Sequence, residues 1–283
     1  MKIKSIIAVF IVLLSVNSVA NENERPLNKA AKRIIALAPH IVENLYAIGA
    51  GDLIVGTTEH ADYPEQANSI PRIGNYAKLN IEQVLAADPD LIIAWKSGNP
   101  SDDLTRLKKL GLHIVYSQPD TLESVADELR YFGELTGNTV LGEQKSSEFL
   151  QQLNSIRTRY KNKASISVFY ELWPRPLTTV ANDAWPQQQL NVCHASNPFI
   201  DSETDYPQIN VENVILKAPQ IIIQPSSHGM NSPDKMNWQQ WPAIPAVKNK
   251  AFLHPDADQL HRMTSRSLDE LSVLCQQIDR FRQ

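Results

Sequence analysis

The chain has 283 residues, with 27 Lys and Arg against 31 Asp and Glu, for a formal net charge of −4 at pH 7. That balance leaves no electrostatic footprint for nucleic acid. Only 10 Gly occur in the whole chain, too few to suggest loops that bring backbone close to phosphates, and neither a nucleophile elbow nor a His-Glu-x-x-His is present, so the expectation is a binding function without catalysis and without a cofactor.

Lys2 and Lys4 precede an apolar run over residues 6–14, and Ser18-Val19-Ala20 supplies small residues for cleavage. Residues 1–20 therefore read as a secretory signal cut near Ala20, its apolar core too short to favour a membrane span. Strands are predicted over 33–37, 53–56, 91–95 and 113–116, and helices over 40–49, 104–110 and 122–135. Strands alternating with helices imply a parallel sheet in an α/β lobe. One long helix follows over 140–160, where Phe149, Leu150, Leu153 and Ile156 recur at helical spacing and Gly142 is the only breaker. A helix of some 20 residues spans about 30 Å and acts as a strut rather than a hinge. The second half repeats the alternation, with strands at 165–171 and 251–253 and helices at 187–193 and 267–282. The predicted organisation is an N-terminal lobe over 21–137, a connecting helix over 138–162 and a C-terminal lobe over 163–283.

An internal repeat supports two lobes of similar build. Leu79-Asn80-Ile81-Glu82 opens a stretch ending in Pro89-Asp90-Leu91-Ile92-Ile93, and Ile209-Asn210-Val211-Glu212 opens its copy 130 residues later, ending in Pro219-Gln220-Ile221-Ile222-Ile223. Each copy reads as an Asn N-cap, a short helix with an early Glu that complements its dipole, a Pro stop and a buried strand. Matched acidic helix starts on matched lobes suit a two-fold partner, and a pair of lobes suits a ligand cleft. Cys193 and Cys275 both lie in the second half of an exported chain, where oxidising conditions favour their pairing. The bridge would stabilise that lobe by roughly 4 kcal/mol.

Ligands of open α/β sheets sit outside the carboxyl ends of the strands. Tyr76, Trp95 and Tyr206 flank the repeat units at such ends, and Trp173 and Trp185 bracket the loop that carries Leu177. Flat rings from both lobes suit a large, partly apolar, disc-like ligand, although Trp185, Trp238 and Trp241 are also expected to fill core. His60, His228 and His261 lie in or beside loops at lobe ends and would have to converge there to hold a metal; isolated imidazoles are the simpler reading.

The strings RIIALAPHIVENLYAIGAGDLIVGTTEHADYPEQA, LNIEQVLAADPDLIIAWKSGN and DYPQINVENVILKAPQIIIQ resemble the vitamin B12-binding members of the helix-strutted (class III) substrate-binding proteins of ABC importers. The resemblance covers essentially the whole chain after residue 20, and the AWKSGN and DQLHRMTSR segments favour the B12 members over haem, siderophore and zinc binders. It implies two Rossmann-like lobes joined by one rigid helix, with cobalamin in the cleft between them, in a soluble, monomeric periplasmic protein. It also implies that Glu82 and Glu212 dock onto Arg residues of a dimeric inner-membrane permease that works with ATPase subunits. The implied ligand contacts are His60, Tyr76, Trp95, Leu177, Tyr206 and the run Asp258, Gln259, Leu260, His261 and Arg262. Several depart from the family pattern: His60 replaces Tyr, Tyr76 and Tyr206 replace Trp, Leu177 replaces Phe, and Gln259, Leu260 and His261 replace Trp, Phe and Glu. The implied cleft is more polar than usual, and an imidazole at His60 could approach cobalt. A haem binder would draw on His60 or Tyr63, a siderophore binder on Arg262 and Arg266, and a zinc site on His60, Asp258 and His261.

Overall fold

The computed structural model describes residues 29–227 and 235–282; the expected signal and His228 lie outside them. The first half holds β1 (Ile34–Ala36), α1 (Pro39–Ala47), β2 (Ile54–Thr57), α2 (Ile81–Ala86), β3 (Leu91–Trp95), α3 (Ser101–Lys109), β4 (Ile114–Ser117) and α4 (Ser124–Thr136). Its sheet runs β2-β1-β3-β4, every pair parallel. After α5 (Thr139–Tyr160) come β5 (Ile166–Tyr170), β6 (Trp173–Pro174), β7 (Leu177–Thr178), α6 (Trp185–Val192), β8 (Ala195–Ser196), α7 (Val211–Lys217) and β9 (Ile221–Ile223). The chain closes with α8 (Pro245–Lys248), β10 (Phe252–Leu253), α9 (Ala257–Leu260) and α10 (Arg266–Asp279). The second sheet runs β10-β9-β5-β8, again all parallel, and β6 and β7 form a separate antiparallel hairpin. Both sheets are therefore two-sided cores, as uninterrupted runs such as Ile221-Ile222-Ile223, all fully buried, require.

The sequence repeat is a repeat of geometry. Asn80 Oδ1 accepts from Gln83 N at 3.2 Å and Asn210 Oδ1 from Asn213 N at 2.8 Å, so each Asn caps its helix. The residue before each Pro, Asp88 or Ala218, turns with a positive φ of 44° or 47°. Asp90 and Gln220 then reach sideways, accepting from the backbone of Arg33 and Ser167 at 3.1 Å each. Arg33 precedes β1 and Ser167 lies in β5, the central strands, which pair with β3 and β9 in the same manner.

The strut is fixed along its length. Gly133 of α4 and Gly142 of α5 lie back to back: a Cβ on Gly142 would meet Leu129 O at 2.8 Å and Gly133 Cα at 3.0 Å. Gly142 is thus a contact point of two helices rather than a breaker. Further along, Gln152 Nε2 donates to Asp269 of α10 at 2.8 Å, and Phe149, Leu153, Ile156 and Tyr160 bury one face. Leu150, placed on that face by its spacing, is 36% exposed, because it falls beside the stripe once the helix packs against two lobes. Cys193, just past α6, is bonded to Cys275 in α10 with Cα atoms 4.9 Å apart, as expected.

Elements of two to four residues, namely the β6–β7 hairpin, β8, α8 and α9, were not anticipated, since so short a span shows no periodicity. Helix α3 starts at Ser101, three residues before its first core Leu, because Pro100 fixes the turn and Asp102 and Asp103 favour the dipole there. Gly142→Ala should cost about 2 kcal/mol of stability, through the forced separation of α4 and α5. Urea unfolding followed by circular dichroism measures it.

Candidate functional site: a cleft between the two lobes

The carboxyl ends of β3 and β4 face those of β5 and the loops around α6 and α9 across a cleft of about 580 Å³. On the first lobe, Trp95 ends β3 with its N–H bound to Asn99 Oδ1 at 2.7 Å, while Asn99 Nδ2 donates to Leu37 O at 2.8 Å. A Cβ at Gly98 would stand 1.9 Å from Trp95 Cε3, so only glycine lets the indole lie over this turn. The Trp-Lys-Ser-Gly-Asn run therefore presents one aromatic ring. Gln118, next to Ser117 at the end of β4, accepts from Ser97 N at 3.1 Å and donates to Asp120 at 2.7 Å, closing this wall with amide and carboxylate.

A buried polar group backs the wall. His40 Nε2 meets Ser117 Oγ at 2.8 Å, and its ring stands edge-on to Trp95, centroids 5.4 Å apart. Burial, with the positive charge of Arg262 second, lowers the His40 pKa to about 3, so its ring is neutral. Glu128 Oε1 accepts from Gln118 N at 3.1 Å. Burial pushes the Glu128 carboxyl up to about 7, against the hydrogen bonds from Ser117 and the Gln118 backbone.

On the second lobe the wall is Leu172 and Trp173, the stretch from Asp183 to Pro186, Asp205, Tyr206, His261 and Met263. Trp185 is 9% exposed, with Nε1 bound to Leu260 O at 3.0 Å, so the ring is core on one face and cleft wall on the other. Trp173 and Tyr206 are 60% and 47% exposed and stand at the mouth. Asp120, Asp183 and Asp205 line the cleft, and no Lys or Arg does so among the described residues.

Of the residues anticipated as ligand contacts, the cleft gathers Trp95, Tyr206 and His261. His60, with φ 67°, and Tyr76, 78% exposed, lie on loops of the first lobe and do not line this cavity. Leu177 is buried in β7, and Leu260 is fully buried, its carbonyl serving Trp185 and Gln189. Gln259 turns back to Asp256 at 2.8 Å. Asp258 lies 3.7 Å from Arg262. The run around Gln118 and the acids Asp183 and Asp205 were not anticipated. Their position just past strands or before a helix was the available signal, but polar residues occupy such positions for many reasons. Trp238 is core, as expected, with Nε1 on Glu171 at 2.6 Å.

Arg262 instead joins the lobes. Its Nη1 donates to Glu43 of α1 at 2.8 Å and to Asp62 at 2.7 Å, and Nη2 donates to His60 O at 3.2 Å. Arg266 holds the same Glu43 through two bonds of 2.9 and 2.7 Å and lies over the Tyr63 ring at 3.6 Å. Asn44 Nδ2 donates to Met263 O at 3.1 Å. Across the molecule, Gln188 of α6 receives Leu122 N at 3.2 Å and donates to Asp120 O at 2.8 Å. The lobes are thus tied by hydrogen bonds in two places besides the strut. Among the described residues, no three His, Cys, Asp or Glu side chains gather to hold a metal ion.

Two parallel α/β lobes braced by one helix, with an aromatic cleft between them, define a helix-strutted solute-binding protein. Residues 34–258 match the periplasmic binding protein family, and the chain belongs to that family. It is 39% identical over 246 residues to the vitamin B12-binding protein of Vibrio cholerae serotype O1, covering 87% of this chain and 88% of that one. The vitamin B12-binding protein of Yersinia pestis is 30% identical over 250 residues, covering 88% and 87%. Among solved structures, periplasmic vitamin B12-binding protein BtuF of Vibrio cholerae superposes with a TM-score of 0.80 at 38% identity, over 89% of this chain and 98% of that one. The periplasmic haem-binding protein BhuT, at 17% identity and a TM-score of 0.77 over 90% and 100%, shares the fold.

Two outcomes follow from the buried charges. Glu43→Gln leaves Arg262 and Arg266 side by side at the lobe interface without the carboxylate they share and should cost about 3 kcal/mol in urea unfolding. Glu128, raised from 4.5 to about 7, binds its proton more tightly in the native state than in the unfolded chain, so the stability it contributes below pH 4.5 is lost as pH rises towards 7. His40, lowered from 6.5 to about 3, contributes the opposite slope, losing stability as pH falls, and this slope is common to both proteins compared. Glu128→Gln should therefore gain about 2 kcal/mol on wild type between about pH 5 and about pH 8. Parallel melting curves at the two pH values measure it.

Proposed function

We propose that this protein captures cobalamin in the periplasm and delivers it to an ATP-driven importer of the inner membrane, performing no catalysis. The observation that carries the reading is the cleft lining: Trp95, Trp173, Trp185 and Tyr206 supply rings, Asp120, Asp183 and Asp205 supply acceptors, and among the described residues no Lys or Arg lines it. A corrinoid offers a flat macrocycle and a fringe of amide N–H donors, which suits rings edged by carboxylates. Haem and anionic ferric siderophores bring carboxylates or net negative charge and would meet three Asp with no counter-ion. The vitamin B12-binding relatives support the same choice.

In this reading Trp95, Tyr206 and His261 touch the ligand, and His60 and Tyr76 meet whatever projects beyond the cleft. Leu177 and the run 258–260 back the wall, and Arg262 holds the lobes around it. The exposed Glu82 of α2 and Glu212 of α7 dock onto Arg residues of a dimeric permease bearing its ATPase subunits. Such contacts steer association and fix register. The exported chain starts after cleavage near Ala20 and is a soluble monomer when free, with lobes over 21–137 and 163–283 and the strut over 138–162.

Nanomolar binding requires about 12 kcal/mol, which ring contacts of about 1 kcal/mol each beyond their burial supplement rather than supply. A preformed cleft on a rigid strut limits the ordering cost. Calorimetric titration with cyanocobalamin should give one site of submicromolar affinity, with haemin at least about a hundredfold weaker. Haemin binding more tightly than cobalamin would overturn the reading.

A further inference from the structure

His60, the imidazole that chain position offers to cobalt, is exposed and does not line the cavity, whereas His261 does. Its backbone N–H is bound to Ala257 O at 2.9 Å, which seats the residue at the end of α9. Its Nε2 meets the hydroxyl of Tyr170 at 2.8 Å, the two rings tilted by 46° with centroids 6.1 Å apart. Tyr170 ends the central strand β5 and is fully buried, so this partner is fixed by the sheet itself. Burial, and Glu270 after it, push the Tyr170 pKa above its ordinary 10, so it stays a hydroxyl. Burial lowers the His261 pKa to about 4, against the weaker opposing effect of Asp256, so the imidazole is neutral. With Nε2 engaged, Nδ1 is the ring's remaining polar atom, and it makes no hydrogen bond among the described residues. A neutral imidazole held by a hydrogen bond on one nitrogen is an oriented metal ligand through the other.

We propose that Nδ1 of His261 takes the exchangeable upper axial position on the cobalt of the bound corrinoid, with Tyr170 Oη accepting the Nε2 proton. The inference rests on the cobalamin reading above. The step is a ligand exchange: in aquocobalamin the bond from cobalt to water breaks, a bond from cobalt to Nδ1 forms, and the water leaves. Cobalt remains Co(III), His261 remains neutral and no proton is released. In cyanocobalamin cyanide holds that position against an imidazole. The pair His261–Tyr170 thus makes the protein specific for corrinoids with a labile upper ligand, and Asp120, Asp183 and Asp205 favour the extra positive charge of the aquo form.

The test is titration of the mature protein with aquocobalamin and cyanocobalamin, read by calorimetry and by visible absorption. The expected result is an aquocobalamin spectrum that changes on binding to that of a nitrogen-ligated cobalt, with a preference over cyanocobalamin of at least about tenfold. His261→Ala should abolish the spectral change and reduce the preference. An unchanged spectrum with both corrinoids bound overturns the inference and leaves the cobalamin reading intact, even where a charge-driven preference remains. A spectral change that persists in His261→Ala also overturns it. Binding of neither corrinoid removes the cobalamin reading itself. Should His261→Ala fail to fold, nitrogen NMR of histidine-labelled wild type decides, because ligation moves one Nδ1 resonance on adding aquocobalamin and its absence leaves all in place.

Discussion

A carboxylate buried where two lobes meet has to be answered by charge from the opposite side. Glu43 is 5% exposed on α1, and Arg262 and Arg266 reach it from beyond α9 and from α10. Leaving that charge unpaired would cost several kcal/mol, so the second lobe is held to the first at a fixed distance. Everything that gives the cleft its width follows. The strut sets the separation of the sheets along its length, the two Arg close one side, and Gln188 closes another. The rings and acids of the two walls face each other because these ties leave little freedom between the lobes.

The cleft itself is built by residues that do two jobs. Trp185 anchors on Leu260 O and shows its outer face to the cavity. Trp95 rests over Gly98 on one side and meets the edge of His40 on another. Such rings are presented without being loose, which lowers the ordering cost of binding. The price of this rigidity is a set of buried polar groups behind the wall, His40, Ser117 and Glu128, of which His40 and Glu128 titrate. Among the described residues the cleft is lined by carboxylates without a Lys or Arg, which gives it a negative sign and favours a neutral or cationic ligand over an anionic one.

The fold shared with haem binders shows how little architecture says about ligand. Two Rossmann-like lobes on a strut will accept many flat molecules. What differs is which side chains end the strands and turn inward, and these are set locally by Gly98, Asn99 and Tyr170.

The sequence by itself determined the elements whose signal is periodic or capped. Continuous apolar runs placed β1, β3, β4, β5 and β9, the spacing of Phe149, Leu153 and Ile156 placed the strut, and Asn80 and Asn210 marked the paired helix starts. The cysteines could be paired because only two exist in a chain expected to be exported. These readings rest on neighbours in the chain or on elimination, so no tertiary structure is needed. The site is different in kind. Trp95 and Tyr206 were legible as aromatic residues near the ends of elements, but the fate of the 258–262 run was not. Within five residues it supplies a cleft imidazole, a core leucine and an arginine that crosses to the other lobe, because the one-turn helix α9 and the turn that follows it point successive side chains in different directions. Whether Arg262 faces ligand or Glu43 depends on a partner 219 residues away in sequence, and only the packing of one lobe against the other brings that partner within hydrogen-bonding distance.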